Sequence, residues 1–301
     1  MIEFHADDYG LFKAQSKRIL DCCEEGAVNG ISIIPDGSYL AEGMEDLRAL
    51  GKDIGITVHL NLVEGQCLSP REDVKKLVDE KGNFAVSFVK LLMLSYIPFV
   101  RKKYRLQIKK ELKQQIRAVM PYLDEKNIRL DSHCHYHMIP VVYDSLMDVI
   151  REEKLNVTYI RMPKEQIGLY WKCRRKLENF RWINLVKVIC LNILCARNRR
   201  HTLPELNFSR DFLFIGIMFS GHMSYRNAST LLQEISKKDG PKQDVEILFH
   251  PGAVYEEEDI AKLTDKGDKI FLSSELRKTE AEALHLLQSS NCSGLRPSQL
   301  R

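Results

Sequence analysis

The chain reads as an α/β protein built on a parallel sheet or barrel. Three observations predict this. Short apolar, β-branched runs alternate with segments of helical periodicity from residue 2 to about residue 287. No internal repeat or low-complexity linker divides the 301 residues, so a single domain of 1–288 accounts for most of them. The side chains best suited to chemistry follow the strand-like runs, where parallel α/β folds form their sites.

The elements are predicted in order. Ile2 to Ala6 is a strand that runs into Asp7-Asp8-Tyr9-Gly10, where Gly10 permits a turn. Ile19, Leu20, Cys22 and Cys23 mark the apolar side of a helix ending near Gly26. Gly30 to Pro35 is a strand, and Tyr39 to Leu50 is a helix closed by Gly51. Asp53 to Leu62 alternates cleanly, with Thr57, His59 and Asn61 on its polar face. The apolar stretch Phe84 to Val100 suits helices that cover or support a site. Leu106 to Leu123 is a long amphipathic helix. A strand from residue 127 carries Asp131-Ser132-His133-Cys134-His135-Tyr136-His137, with Asp131, His133, His135 and His137 on one face. Val141 to Glu153 is a helix and Asn156 to Arg161 a strand. Residues 164–206 form a basic, aromatic, helical insert in which Trp171 and Trp182 are assigned to helix core. Asp211 to Phe219 and Asp244 to Phe249 are strands, Ala228 to Ile235 and Thr279 to Leu287 helices, and 289–301 a disordered tail.

The formal charge of +4 is small for this length, and nothing in it requires nucleic acid. Basic residues cluster at Arg101-Lys102-Lys103, Lys109-Lys110, Arg174-Arg175-Lys176 and Arg199-Arg200, mostly as solvated helix faces. The eight cysteines form no C-x-x-C pair and fit a reducing, cytoplasmic compartment. No signal peptide precedes the Asp pair, and the apolar run Ile183 to Ala196 is too short and too polar to span a bilayer. Peripheral membrane contact and a homodimer are both compatible with this composition.

Imidazole and carboxylate are the common protein ligands of divalent ions. Asp8, His59 and His133 supply one carboxylate and two imidazoles from three strands, leaving a position for water. Asp7, beside the metal rather than on it, is placed to act as general base, although Asp pairs also cap helices. His250, opening a His-Pro-Gly turn, suits proton donation or oxyanion stabilisation, and Arg161 suits orienting Asp7 or touching substrate. A phosphoesterase or amidohydrolase-like hydrolase would use similar residues, with more carboxylates near His135 and His137 for a second metal. A non-catalytic binding or scaffold protein that keeps the fold is the third alternative.

Five motifs occur in order: Ala6-Asp7-Asp8-Tyr9-Gly10, Gly55-Ile56-Thr57-Val58-His59-Leu60, the His cluster from Leu130 to Met138, Ile160-Arg161-Met162-Pro163, and His250-Pro251-Gly252. Together they resemble the YdjC/ChbG-like carbohydrate deacetylases, from residue 2 to about residue 287. The resemblance implies a distorted (β/α) TIM-like barrel that removes acetyl groups from N-acetylated saccharides. It implies one divalent ion, Mg2+ or Zn2+, on Asp8, His59 and His133, with Asp7 as base and His250 as the carboxyl-terminal His. Tyr9, Asn61, His135 and His137, beside these positions, are assigned to substrate. Tyr9 stands where the family usually has Phe. Cys134 stands where it often has His, on a side expected to face away from the ligands. The insert 164–206 is longer and more basic than the family pattern, which leaves the sugar open.

Overall fold

The computed structural model describes residues 1–123, 127–206, 212–237 and 243–289. In chain order the strands are β1 (Ile2–Tyr9), β2 (Gly30–Ile33), β3 (Gly55–Leu60), β4 (Ile128–Ser132), β5 (Val157–Ile160), β6 (Leu213–Ile215) and β7 (Val245–Phe249). The helices are α1 (Lys13–Glu24), α2 (Leu40–Ala49), α3 (Arg71–Val74), α4 (Phe88–Leu94), α5 (Pro98–Val119), α6 (Pro140–Glu152), α7 (Ile167–Cys173), α8 (Trp182–Arg199), α9 (Tyr225–Ser236), α10 (Glu257–Lys262), α11 (Lys266–Leu272) and α12 (Leu276–Ser289). The expected disordered tail meets α12 at residue 289 and otherwise lies outside the described residues, as does Asp211 at the head of its predicted strand.

The seven strands form one parallel sheet in the order β5-β4-β3-β2-β1-β7-β6. Parallel strands need crossover helices on the sheet's outer face, which explains why β1, β2 and β7 are buried along their whole length. Five strand steps separate β5 from β7, roughly 24 Å in a flat sheet. Yet the Tyr159 hydroxyl of β5 donates to Glu246 of β7, and Arg161 Nε reaches Glu246 at 2.7 Å. The sheet is therefore curled into most of a barrel, as expected, with an open seam between β5 and β6. Glu165, just past β5, spans that seam: its carboxylate accepts from the backbone N–H groups of Gly216, Ile217 and Met218 at 2.6, 2.7 and 3.2 Å.

Two apolar clusters flank the sheet. One packs α1, α9 and α12 against β1, β6 and β7; the other packs α5 and α6 against β3, β4 and β5. α5 starts at Pro98, earlier than the predicted Leu106, because Pro suits the first helical position and charge, not apolar periodicity, fixes its first turns. Arg101, Arg105 and Lys109 reach across to Asp144, Asp148 and Glu152 of α6. Part of the basic run is thus spent on cross-helix pairs. The helices α10 and α11, short and weakly patterned, are not foreseen in the sequence.

The predicted core positions of Trp171 and Trp182 are wrong. The side chains are 51% and 68% exposed, because α7 and α8 turn their other faces, Leu169, Tyr170, Val188 and Leu191, inward.

Candidate functional site

β1 runs past its predicted end. Its register against β2 slips between Ala6 and Tyr9, and Asp8 adopts φ 74°, a left-handed conformation uncommon for Asp. The slip turns Asp7 and Asp8 to different partners, both buried. Neither caps a helix, since α1 begins at Lys13 with Phe12 at its N-cap.

The strand of the His cluster also departs from prediction. β4 ends at Ser132, and His133–Met138 is a 3-10 turn in which Cys134 (φ 50°) and His135 (φ 56°) are left-handed. Period-two alternation stops there, so the three imidazoles do not share a face. His133 turns to Asp8. His137 lies between the Ser132 hydroxyl (2.7 Å) and the Arg161 carbonyl (2.8 Å). His135 packs edge-on against Phe214. Burial pushes His137 down to about 4, and burial with the nearby Arg161 charge keeps His135 well below the usual range; both are neutral imidazoles at pH 7. Cys134, expected to face away, is instead 3.7 Å from Asp268 Oδ1, beside the cluster.

Asp8, His59 and His133 do converge. Asp8 Oδ1 lies 2.8 Å from His133 Nδ1 and 3.5 Å from His59 Nε2. The other ring nitrogen of each imidazole is held by a carboxylate: His59 Nδ1 by Asp131 at 2.7 Å, His133 Nε2 by Asp268 at 2.6 Å. His59 Nε2 and Asp8 Oδ2, both buried, have no hydrogen-bond partner among the described residues. Ligand atoms of Asp8, His59 and His133 all fall within 4.8 Å of one another. Buried donors without partners, and histidines whose far nitrogens are anchored by carboxylates, fit a metal ion better than they fit packing.

The charges follow. Burial would raise the Asp8 carboxyl, but the charge and hydrogen bond of His133, with His59 and Arg277 nearby, hold it well below the usual range. Burial would lower His59, but Asp131 and Asp7 lift it to about 9. His133 is lifted well above its ordinary value, against burial, chiefly by Asp268.

Arg161 is fully buried, so it touches protein rather than substrate. Its Nη1 donates to both Asp7 oxygens at 3.0 and 2.9 Å and pairs with Asp131, while Nε donates to Glu246. His250 is 9% exposed; its Nδ1 is 3.4 Å from Glu280, and its carbonyl accepts from Arg277, whose Nη1 lies 3.5 Å from Asp8 Oδ2. Two residues assigned to substrate are spent on the fold. The Tyr9 hydroxyl donates to the Gly43 carbonyl, and the buried Asn61 amide binds Asp36, Glu64 and the Val63 N–H.

The sequence reading missed Asp268, Arg277 and Glu280, which sit on α11 and α12 without a motif. It also missed Glu3, His5 and Glu246. A signal existed: Glu3, His5 and Asp7 recur at period two in an otherwise apolar strand, and Glu246 interrupts another.

A model of the YdjC-like protein family matches residues 1–290. The chain belongs to the YdjC-like family. Curated relatives include a carbohydrate deacetylase of Thermoanaerobacter pseudethanolicus, 29% identical over 163 residues, covering 54% of this chain and 61% of that one. Another is a carbohydrate deacetylase of Xenopus laevis, 28% identical over 264 residues, covering 82% and 79%. A chitooligosaccharide deacetylase of Klebsiella pneumoniae is 24% identical over 176 residues, covering 58% and 66%. The bacterial alignments thus span about two thirds or less of those relatives. A solved structure from Enterococcus faecalis, described as a cellobiose-phosphate cleavage protein, superposes with a TM-score of 0.62 at 18% identity, covering 97% of this chain and 92% of that one. This likeness carries the fold.

Proposed function

We propose that the protein is a metal-dependent carbohydrate N-deacetylase. The observation that carries this is the meeting of Asp8, His59 and His133, with Asp8 Oδ2 and His59 Nε2 buried and without a hydrogen bond, at the carboxyl ends of the parallel strands. The deacetylase names of the relatives supply the substrate class, an N-acetylated saccharide.

Asp8, His59 and His133 would hold one divalent ion, and two imidazoles favour zinc over magnesium. Such an ion polarises a carbonyl and makes water nucleophilic near neutral pH. Asp7 takes the proton of the attacking water on its carboxylate. Arg161 acts as a positioning residue, fixing that carboxylate through both oxygens. His250 delivers a proton to the departing amine; Glu280, 3.4 Å from its Nδ1, supports this role by holding the ring. His135 keeps a place beside substrate, since its Nδ1 also lacks a partner, whereas the partners of Tyr9, Asn61 and His137 leave them supporting roles. The seven described cysteines are free thiols, which supports the reducing compartment read from the sequence.

The test is acetate release from N-acetylated oligosaccharides by metal-replete wild type and Asp7→Asn. Asp7→Asn should retain one metal per chain and lose at least about 10³-fold in kcat, the scale of a lost general base. Normal turnover by that variant rejects Asp7 as base. Two metals per chain, without acetate release, would favour the phosphoesterase-like alternative.

A further inference from the structure

The rim around the carboxyl ends of the strands is apolar and basic. α8 lies along it. Asn184 Nδ2 donates to the carbonyl of Met218 beyond β6, Asn192 exchanges hydrogen bonds with the backbone of Glu165 beyond β5, and Asn198 Nδ2 donates to the carbonyl of Met138 beyond β4. The opposite face of α8 is largely open among the described residues: Trp182, Ile183, Val186, Ile189 and Ile193 are 45–68% exposed, at helical spacing, with Phe180 edge-on against Trp182. Beside its start, Trp171, Phe180 and Trp182 border an apolar recess of about 180 Å³.

A second apolar patch stands on the same rim. α4 is fastened to the His133–Met138 turn through the Phe88–Tyr136 ring contact and the Tyr136 hydroxyl bond to the Val86 carbonyl. From α4 into the start of α5, Met93, Tyr96, Ile97 and Phe99 are exposed, Phe99 to 87%. The two patches flank α6, whose Asp144 pairs with both Arg101 of α5 and Arg197 of α8.

Charge says what covers them. Residues 88–110 hold seven Lys and Arg and no Asp or Glu, and 164–206 hold ten against three. Lys90, Lys102, Lys103 and Lys187 are exposed and form no ion pair among the described residues. A protein partner would be expected to bring a shaped apolar counterpart to this face. A stripe of exposed aromatic and aliphatic side chains bordered by unpaired lysines instead matches an interface of lipid headgroups and acyl chains. Among the described residues no helix is long and apolar enough to cross a membrane, so the contact is peripheral.

We propose that this rim seats on an anionic lipid bilayer, so that the mouth of the site opens toward the membrane surface. Substrate would then be drawn from saccharides attached to, or held at, that surface.

Both tryptophans of the chain, Trp171 and Trp182, lie on the patch, so emission reports its burial directly. The full chain is titrated with phosphatidylcholine vesicles, with and without about 30% phosphatidylglycerol. The anionic vesicles should shift emission to the blue and co-sediment the protein, and the neutral ones should do so at least about tenfold more weakly. Phe99→Glu with Lys102→Glu, both at exposed positions, should cut partitioning to anionic vesicles about tenfold or more with unchanged thermal melting. No binding to anionic vesicles, or binding unaffected by these substitutions, overturns the proposal. So does a dimer by sedimentation velocity that Trp182→Glu dissociates in the absence of vesicle binding, which would make the face a subunit contact. None of these readouts needs turnover, so they stand or fall apart from the deacetylase assignment.

Discussion

Arg161→Met tests the buried scaffold of the site. The guanidinium is fully buried against three carboxylates: Asp7 at 2.9 Å, Glu246 at 2.7 Å and Asp131. One charge pair at about 4 Å is worth roughly 4 kcal/mol at an effective dielectric of about 20, so the gross attraction is of order 10 kcal/mol. Burying the guanidinium offsets most of that. Removing one partner of a buried pair still costs about 3–5 kcal/mol, because the other is left uncompensated. Methionine matches the volume of the side chain but supplies no charge. The expected loss is about 3–5 kcal/mol, or a melting temperature roughly 6–15 °C lower at pH 7.

The pH dependence gives a second check. Burial would raise the Asp131 carboxyl, but Arg161 and His59 drive it far below its ordinary value in the native state. A carboxyl depressed in this way stabilises the fold above its unfolded value of about 3.9, and that contribution disappears as pH falls. The gap between wild type and Arg161→Met should therefore hold steady from neutral pH down to about pH 4 and narrow only below it. Thermal unfolding from about pH 2 to pH 8 reads both effects. A variant that melts within about 2 °C of wild type at pH 7 would refute the claim that Arg161 holds the site together. Arg161→Lys should recover only part of the loss, since an ammonium cannot fork to three carboxylates.

Asp131→Asn and Asp268→Asn each loosen the anchored nitrogen of one candidate ligand, and each should weaken metal binding about 10–100-fold; an unchanged dissociation constant in a calorimetric titration would remove that carboxylate from the site. Glu165, spanning the sheet seam, is raised to about 7 by burial despite its three backbone donors. Its native state holds a proton more tightly than the unfolded chain, so its contribution is complete below about pH 4.5 and lost as pH rises through about 7, at most roughly 3 kcal/mol. Wild type should lose melting temperature from pH 5.5 to 8 more steeply than Glu165→Gln, and parallel curves would contradict this.

Much of the fold was legible because parallel strands and their crossovers carry distinct periodicities, and β3, with His59 on its polar face, was read nearly as it forms. The candidate ligands were legible for the same reason: Asp8, His59 and His133 lie at or just past the carboxyl ends of β1, β3 and β4. Local backbone reversals were not. Nothing in His133 to Met138 announces two left-handed residues, and without them alternation assigns His135 and His137 to the wrong face. Asp268 and Arg277 were illegible for a different reason. They reach the site through tertiary packing of short helices, and such contacts leave no spacing in the sequence.

The buried guanidiniums and the carboxylates they touch show why this pocket suits a divalent ion. Arg129, Arg161 and Arg277 contact five carboxylates: Glu3, Asp7, Asp131, Glu246 and Asp8. Three positive charges face five negative ones, and the buried Asp268 and Glu280, beside His133 and His250, add two more carboxylates. Isolated buried charge of that size is untenable, and two protonated imidazoles or one dication would offset two of the excess negative charges. The lifted values of His59 and His133 are the proton form of that balance. Metal ligands must be deprotonated, so a divalent ion entering at Asp8 should expel close to two protons at about pH 7, and fewer as pH approaches about 9. Calorimetric titration of chelator-treated protein with zinc, in two buffers of different ionisation enthalpy, counts them. Release of less than about one proton at pH 7 would mean that the imidazoles are neutral before the ion arrives, and that the carboxylates find their compensation elsewhere.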